Sequence, residues 1–118
     1  MREAGSRERS QPAPPHVVFE ALAGPDRDPA RPWLVLLDDE QAPAVLDSAP
    51  PARLVWSSLW VKRPDARIRF DLAADGAGSR LRWTLLVDEP LPDAALLGHL
   101  RKRLNELINA NLRYTFGQ

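Results

Sequence analysis

Apolar and polar residues alternate strictly in two neighbouring stretches of the chain. Four apolar side chains between residues 66 and 72 alternate with charged ones, and a second alternation runs from 80 to 87. The residues between them, 74–79, include two glycines, which suits a tight connection. Period-two alternation in two runs joined in this way predicts a β-hairpin with one buried face.

The alternation also fixes the register of this hairpin. Pairing Leu72 with Leu81 brings the apolar positions of both strands onto one face, and a slip by one residue would expose Trp83. In the same register Asp71 lies opposite Arg82 on the other face, an opposite-charge pair worth about 0.2–1 kcal/mol. We therefore expect a single, firm register.

A longer period, of about 3.6 residues, predicts a helix from about Pro92 to Phe116 in the C-terminal quarter of the chain. Its leucines and its isoleucine fall on one stripe of a helical wheel, and most of its charged side chains fall on the other side. Asn111 and Thr115 are the polar residues that interrupt the apolar stripe. The stripe predicts that one face of this helix is buried.

The N-terminal part of the chain is divided by prolines. Proline suits the first turn of a helix, so Pro14–Pro15 can begin a short helix, and Gly24–Pro25 ends it. Residues 25–32 contain three prolines and form a rigid connection. Residues 1–14 are charged and almost free of large apolar side chains, so burial cannot offset the entropy lost on ordering. We therefore expect a disordered tail over 1–14 and a folded domain over 15–118.

Three apolar runs between the proline-rich connection and the hairpin predict further strands. Residues 33–38 and 44–47 can pair through the turn between them, and residues 53–61 are rich in side chains that suit a pleated surface. The facing of Trp56 and Trp60 depends on the loop that follows. A four-residue loop leaves both tryptophans outside, and a three-residue loop buries both.

Composition and charge narrow the classes of function. A length of 118 residues favours one domain, and a net charge of zero gives no general attraction to nucleic acid or to a membrane. The chain has no cysteine, which removes disulfides, thiolate nucleophiles and the usual zinc sites. The longest apolar run, residues 33–37, is far shorter than the roughly 20 residues that span a bilayer. We expect a cytoplasmic protein with no nucleic-acid partner and no membrane partner.

The order of the elements and several segments of the sequence resemble the START-like superfamily, also called SRPBCC or helix-grip. The stretch VVFEALAGP (17–25) is similar to the first helix of that family, and LGHLRKRLNELINANLRYTFG (97–117) is similar to its closing helix. The resemblance covers residues 15–117 and is greatest to small members of actinobacterial type. The successive strands of the family are similar to RPWLVL (32–37), LVWSSLW (54–60), RIRFDL (67–72) and SRLRWTLLV (79–87).

The resemblance implies an α+β fold in which an antiparallel β-sheet wraps around the long C-terminal helix. The family usually opens with a β-strand that completes one edge of the sheet. Because residues 1–14 contain no strand-like run, we expect this strand to be missing and the sheet to have an open edge. Exposed edges are a hazard that proteins usually cover, so a homodimer formed through this edge is one expected consequence.

The resemblance also implies a pocket between the sheet and the C-terminal helix, where the family holds lipids, hormones, polyketides or other apolar molecules. In such a pocket apolar walls combine with a few polar groups, and Asn111 would be the polar group. The alternative is that the same residues form a filled core, with Asn111 bonded to backbone or water. The candidate ligand-binding residues are Phe70, Trp83, Leu85, Leu100, Leu104 and Asn111.

No group of residues predicts catalysis. His16 and His99 have no evident nucleophile or acid beside them, and the carboxylates of residues 38–40 lack metal-ligand spacing and are typical of a solvated loop. We therefore expect no catalytic residue, no metal and no cofactor.

Three hypotheses for the function remain. The first is a non-enzymatic domain that binds a small apolar or aromatic molecule. The second is an enzyme like the polyketide cyclases or dehydratases of the family, in which Asn111 and an arginine orient the substrate. The third is an interaction module that has a filled core and dimerises through the open edge.

Overall fold

Within residues 1–116, which the computed structural model describes, the chain forms a five-stranded antiparallel sheet and a long C-terminal helix. A short helix, α1 (Pro15–Ala23), follows the first strand, and the C-terminal helix, α2, spans residues 94–115. The last two residues of the predicted domain, 117 and 118, lie outside the described residues. The predicted α+β architecture is confirmed. The strands are β1 (Arg2–Gln11), β2 (Val45–Ala49), β3 (Arg53–Trp56), β4 (Arg67–Asp75) and β5 (Gly78–Val87).

The strands lie in the order β1-β5-β4-β3-β2, and the hairpin β4–β5 has the register that the alternation predicts. Its connection contains Gly76 at a φ of 60°, a backbone conformation that favours glycine. Asp71 lies opposite Arg82 as expected. Its carboxylate, however, bonds to Arg69 at 2.9 Å, and the Arg82 guanidinium approaches Glu8 of β1 instead.

The connection after β3 is longer than either of the two predicted loops, and it decides where Trp56 and Trp60 lie. Strand β3 ends at Trp56, and residues 57–66 lead to β4 outside any named strand. Trp56 and Trp60 are both buried. The Trp56 Nε1 donates to the backbone oxygen of Leu22 at 2.8 Å, so this indole joins α1 to the sheet.

The N-terminal segment is not a disordered tail, and the first strand is not missing. Residues Arg2–Gln11 form β1, which pairs with β5 and has a bulge between Glu3 and Gly5. Ala4 and Gln11 are the buried side chains of this strand, and nearly all of the others are exposed. Hydrophobic burial therefore contributes little to β1, and its pairing with β5 makes it a strand. This is why the pattern of apolar residues does not reveal it.

Helix α2 also holds β1 in place. The Arg101 guanidinium donates two hydrogen bonds to the backbone oxygen of Ala4, at 2.6 and 2.9 Å. Nearer the end of the helix, the Arg113 Nε donates to the backbone oxygen of Ser10 at 3.1 Å. The edge that we expected to be open is therefore formed by β1, and two arginines of α2 bond to its backbone.

The strand predicted at 33–38 does not form. This segment is irregular, and its polar backbone groups bond to side chains rather than to a neighbouring strand: the Leu37 N–H donates to Glu40, and the Val35 oxygen accepts from Arg103. The strand predicted at 44–47 is present as β2, but it pairs with β3.

The helix predicted from Pro92 to Phe116 is confirmed at 94–115, and it begins with a capped first turn. The Asp93 side chain accepts a hydrogen bond from the Leu96 N–H at 2.8 Å, a standard N-cap arrangement. The middle of the helix is wider than expected, because residues Asn105–Leu112 form a π-helical segment between two α-helical ones. A π-helix turns less per residue than an α-helix, so positions after 105 rotate away from the predicted stripe. None of the described helices is long and apolar enough to cross a membrane.

Candidate ligand-binding site

The interface between the sheet and α2 is filled by side chains. Five of the six predicted ligand-binding residues lie in this core and are at most 1% exposed. None of the five lines any of the surface depressions described below. A ligand could enter between sheet and helix only by displacing them. These five are Phe70, Trp83, Leu85, Leu100 and Leu104.

The sixth predicted residue, Asn111, lies away from that core. It is half-buried in the π-helical segment and lines a surface groove of about 590 Å³ between the last turns of α2 and residues 32–35. We call this depression the helix groove. At its end the Arg31 guanidinium donates to the Thr115 oxygen at 2.6 Å and lies over the Phe116 ring at 4.4 Å. The groove is therefore bounded by an arginine that ties the irregular segment to the helix.

A second depression, of about 460 Å³, lies within the irregular segment itself. We call it the loop groove. Its walls are mainly apolar, and two carboxylates stand at its rim. It shares Pro32 and Trp33 with the helix groove. The lining residues are Pro25, Asp26, Asp28, Pro29, Pro32, Trp33, Leu34, Leu36, Ala42 and Pro43.

Trp33 anchors the segment that separates the two grooves. Its side chain is 1% exposed and stacks on Trp56, with ring centroids 6.1 Å apart. Trp56 in turn meets the edge of Phe70 at 4.7 Å, so a continuous row of aromatic rings leads from the loop into the core. The Trp33 Nε1 is buried and has no hydrogen-bond partner among the described residues. Buried donors are normally satisfied by protein or water, so this N–H is free for an acceptor.

Beneath the grooves, the loop is joined to α2 by a buried ion pair. The Glu40 carboxylate and the Arg103 guanidinium form two hydrogen bonds, of 2.8 and 2.9 Å, and their side chains are 0% and 8% exposed. The carboxylate also accepts from the Trp60 Nε1 at 3.2 Å and from the Leu37 N–H at 2.9 Å. Buried charges are stable only when they are paired and hydrogen-bonded in this way.

The surroundings of Glu40 determine its protonation. Burial by itself would raise the pKa of this carboxyl, but the hydrogen bonds from Arg103 and Leu37, the Arg103 charge and the Trp60 bond outweigh burial and lower the pKa below its ordinary value. The hydrogen bonds that Arg103 donates to Glu40 raise the pKa of Arg103. Both groups therefore stay charged at neutral pH. Such a carboxylate positions the loop and is poorly suited to transfer protons.

Glu40 is buried and ion-paired, so the predicted solvated acidic loop over residues 38–40 is wrong for Glu40. Asp38 and Asp39 are exposed as expected. His16 is also exposed, and the Nε2 of His99 lies 3.9 Å from the Asp39 carboxylate. Among the described residues there is no group of three His, Cys, Asp or Glu side chains that could hold a metal ion.

Comparisons with known proteins agree on the fold. No protein-family model matches the sequence, and no curated protein matches it. Among solved structures, CalU16 from Micromonospora echinospora is 20% identical with a TM-score of 0.69, over 95% of this chain and 73% of that one. The Aha1 dimer from Colwellia psychrerythraea is 14% identical with a TM-score of 0.73, over 100% of this chain and 99% of that one.

A further structural neighbour is DynU16, a protein in the dynemicin biosynthetic locus. It is 20% identical with a TM-score of 0.65, over 92% of this chain. The chain spans 45% of the length of DynU16, so only part of that protein is compared. At these identities the matches establish the fold alone. The chain therefore has the START-like, helix-grip fold.

Proposed function

We propose that the protein binds a small apolar or aromatic molecule in the loop groove, beside Trp33, and not between the sheet and α2. The observation that carries this proposal is the mainly apolar loop groove, whose lining includes Trp33, a residue whose buried N–H has no partner among the described residues. A ligand with an apolar body and one acceptor would fit such a site. The groove volume of about 460 Å³ falls within the range of roughly 300–1,000 Å³ found for ligand pockets.

The packing of the core supports the same choice. The five predicted residues between sheet and helix are closely packed, so a ligand there would cost the burial of several large side chains. In the loop groove, by contrast, Leu34 and Leu36 are only partly buried, and a ligand would cover them. The neighbours CalU16 and DynU16 share this fold, and the locus that contains DynU16 is biosynthetic, which suits a small-molecule ligand.

The four indole N–H groups allow a direct test by NMR of the ¹⁵N-labelled full chain. The four indoles differ in their partners. The Trp56, Trp60 and Trp83 N–H groups donate to Leu22, Glu40 and Asn105. The Trp33 N–H has no partner among residues 1–116. Titration with 2-naphthol is expected to shift the Trp33 indole resonance saturably. The Trp83 resonance should move little, because its environment is the filled core.

A matched pair of variants controls this test. Leu36 lines the loop groove, whereas its neighbour Leu37 is 45% exposed and does not. Leu36→Asn should weaken binding about tenfold, as expected for losing one partly buried leucine contact, and Leu37→Asn should leave it unchanged. A saturable shift of Trp83 instead of Trp33 would move the site back to the sheet–helix interface. No saturable shift of either indole would contradict the proposal.

Self-association through β2 is a second candidate function. All five residues of this edge strand are exposed, including Val45 at 42% and Leu46 at 50%. An exposed apolar edge is a template for pairing with another chain, and one structural neighbour is a dimer. Sedimentation of the purified chain should then give a dimer that Leu46→Lys dissociates. A monomer at all concentrations would exclude it.

A further inference from the structure

A third depression lies between β1 and α2 and shares Asn109 with the helix groove. It has a volume of about 160 Å³ and is lined by Arg7, Arg9, Asn105 and Asn109. We call it the arginine cleft. Two strand residues and two residues of the π-helical segment, all with polar side chains, thus line a small space.

The register of β1 explains why both arginines face this space. Arg7 is paired with Trp83 and Arg9 with Leu81, and both partners belong to the buried face of β5. Residues two apart on a strand project to the same side. The two guanidinium groups therefore extend over the helix side of the sheet, next to each other and beside the amides of Asn105 and Asn109.

The charges around the cleft are not balanced. Within residues 1–116 neither Arg7 nor Arg9 has an ion-pair or side-chain hydrogen-bond partner. On the other face of the sheet, by contrast, Arg80 and Arg82 both approach Glu8. The arginines of α2 that bond to β1, described above, donate to backbone oxygens and not to carboxylates. An anion in this cleft would meet the positive charges of Arg7 and Arg9 on its strand side.

The two asparagines add a hydrogen-bond acceptor whose orientation is fixed. The Asn105 Oδ1 accepts from the Trp83 Nε1 and from the Asn109 Nδ2, each at 3.1 Å. Because an indole N–H can only donate, the orientation of the Asn105 amide is fixed, and that of Asn109 follows from it. The Asn109 Oδ1 is left buried, with no partner among the described residues. It is an acceptor that needs a donor.

We propose that the arginine cleft binds a small oxyanion that also carries a hydroxyl group. The charged oxygens would accept from the guanidinium groups of Arg7 and Arg9, which suit such acceptors because their donors lie in a planar fork. The hydroxyl would donate to the Asn109 Oδ1. Hydrogen phosphate has both features in one ion, and the volume of the cleft suits a group of that size.

The test compares hydrogen phosphate with sulfate in NMR titrations of the ¹⁵N-labelled full chain at constant ionic strength. In mildly alkaline solution both are tetrahedral dianions, and only hydrogen phosphate carries a hydroxyl. We expect hydrogen phosphate to shift the side-chain amide resonances of Asn105 and Asn109 and the indole resonance of Trp83 saturably. Sulfate should bind at least about tenfold more weakly, the effect of one hydrogen bond to a charged partner.

Matched variants separate this site from general attraction to a positive surface. Arg7→Gln and Arg9→Gln should each weaken phosphate binding about tenfold or more. Arg53→Gln removes the same charge from β3 and should have no effect. Unchanged peaks for Trp56 and Trp60 would show that each variant is folded.

Three results would overturn the proposal. These are the absence of a saturable shift, an equal loss of affinity in Arg53→Gln, and equal affinities for the two anions, which would mean that Asn109 does not read the hydroxyl. The 2-naphthol titration reports on Trp33, so this proposal and the proposed function can fail independently.

Discussion

The two sides of helix α2 are built in different ways. Towards the sheet it presents leucines to a closely packed apolar core, as at Leu100 and Leu104. Towards the irregular segment 25–43 it presents one buried arginine, which holds the loop through Glu40 and through the backbone of Val35. On the first side the leucines lie in the packed core, and the arginine cleft is confined to the β1 edge of the sheet, whereas the second side has two grooves.

The difference has a physical cause. Regular strands and helices repeat their side-chain positions, so apolar residues interdigitate and fill the space between them. An irregular segment must satisfy its backbone groups individually, here with the side chains of Glu40 and Arg103, and the fixed positions of those bonds limit close packing. A few specific contacts can hold such a loop while leaving space beside it.

Of the changes that test this difference between the two sides, removing one partner of the buried ion pair should lower the free energy of unfolding at least as much as any other. Glu40→Gln leaves the buried Arg103 with Glu106, whose side chain is 45% exposed, as its remaining acidic partner. The free energy of unfolding should therefore fall by about 3 kcal/mol, the lower end of the range for breaking a buried pair. Urea denaturation measures this directly. Arg69→Met, which removes an exposed pair with Asp71, should cost less than about 1 kcal/mol. Similar costs for the two variants would show that the loop is not held by this pair.

Truncating a leucine on each side of α2 tests how closely that side is packed. Leu104→Ala should cost about 3 kcal/mol, because a fully buried side chain leaves a cavity. Leu36→Ala, in the wall of the loop groove, should cost about 1 kcal/mol, since solvent already reaches that side chain. Equal losses in urea denaturation would mean that the loop groove packs like the core.

Acidification should produce the smallest of the three effects, and of the two sides of α2 it should weaken the loop side. Because the folded-state pKa of Glu40 is lowered, its contribution to stability is present above the unfolded-state pKa and is lost as pH falls through the folded-state pKa. The unfolding free energy of the wild type should therefore decrease in the acid range. Asp65, whose pKa is also lowered, contributes in the same direction.

Two single variants show whether the loss of stability in acid comes from Glu40. The difference in stability between the wild type and Glu40→Gln should narrow as the pH is lowered, because the carboxyl of the wild type becomes neutral as well. Leu104→Ala should show the same difference from the wild type at every pH. A difference for Glu40→Gln that does not change with pH would contradict the assigned ionisation.

The parts of the fold that could be predicted are those whose own periodicity decides their structure. The β4–β5 hairpin and α2 have clear periods, and the structure confirms both. Strand β1 has no apolar period, so its own sequence does not predict it. Its conformation is determined by its pairing with β5. One indirect signal is Gly78: a side chain there would collide with the backbone of Gln11, so β1 can approach β5 only beside a glycine.

The candidate sites were harder to predict because they depend on long-range contacts between polar residues. Glu40 and Arg103 are far apart in the sequence, and charged residues of both kinds are usually exposed. The helical wheel places Arg103 beside the edge of the apolar stripe, which indicates only that it is near the core. Asn111 was expected in the sheet–helix pocket because the wheel assumed an α-helix, and the π-helical segment changes its direction.

The pairing of β1 with β5 has a consequence for the order in which the protein folds. It joins Arg2 to Val87, residues 85 positions apart, whereas the β4–β5 hairpin joins neighbours in the sequence. Contacts between distant residues form late, because a long loop must close first. During synthesis the first strand therefore leaves the ribosome long before its partner. The arginine cleft can be assembled only after almost the whole chain has been made.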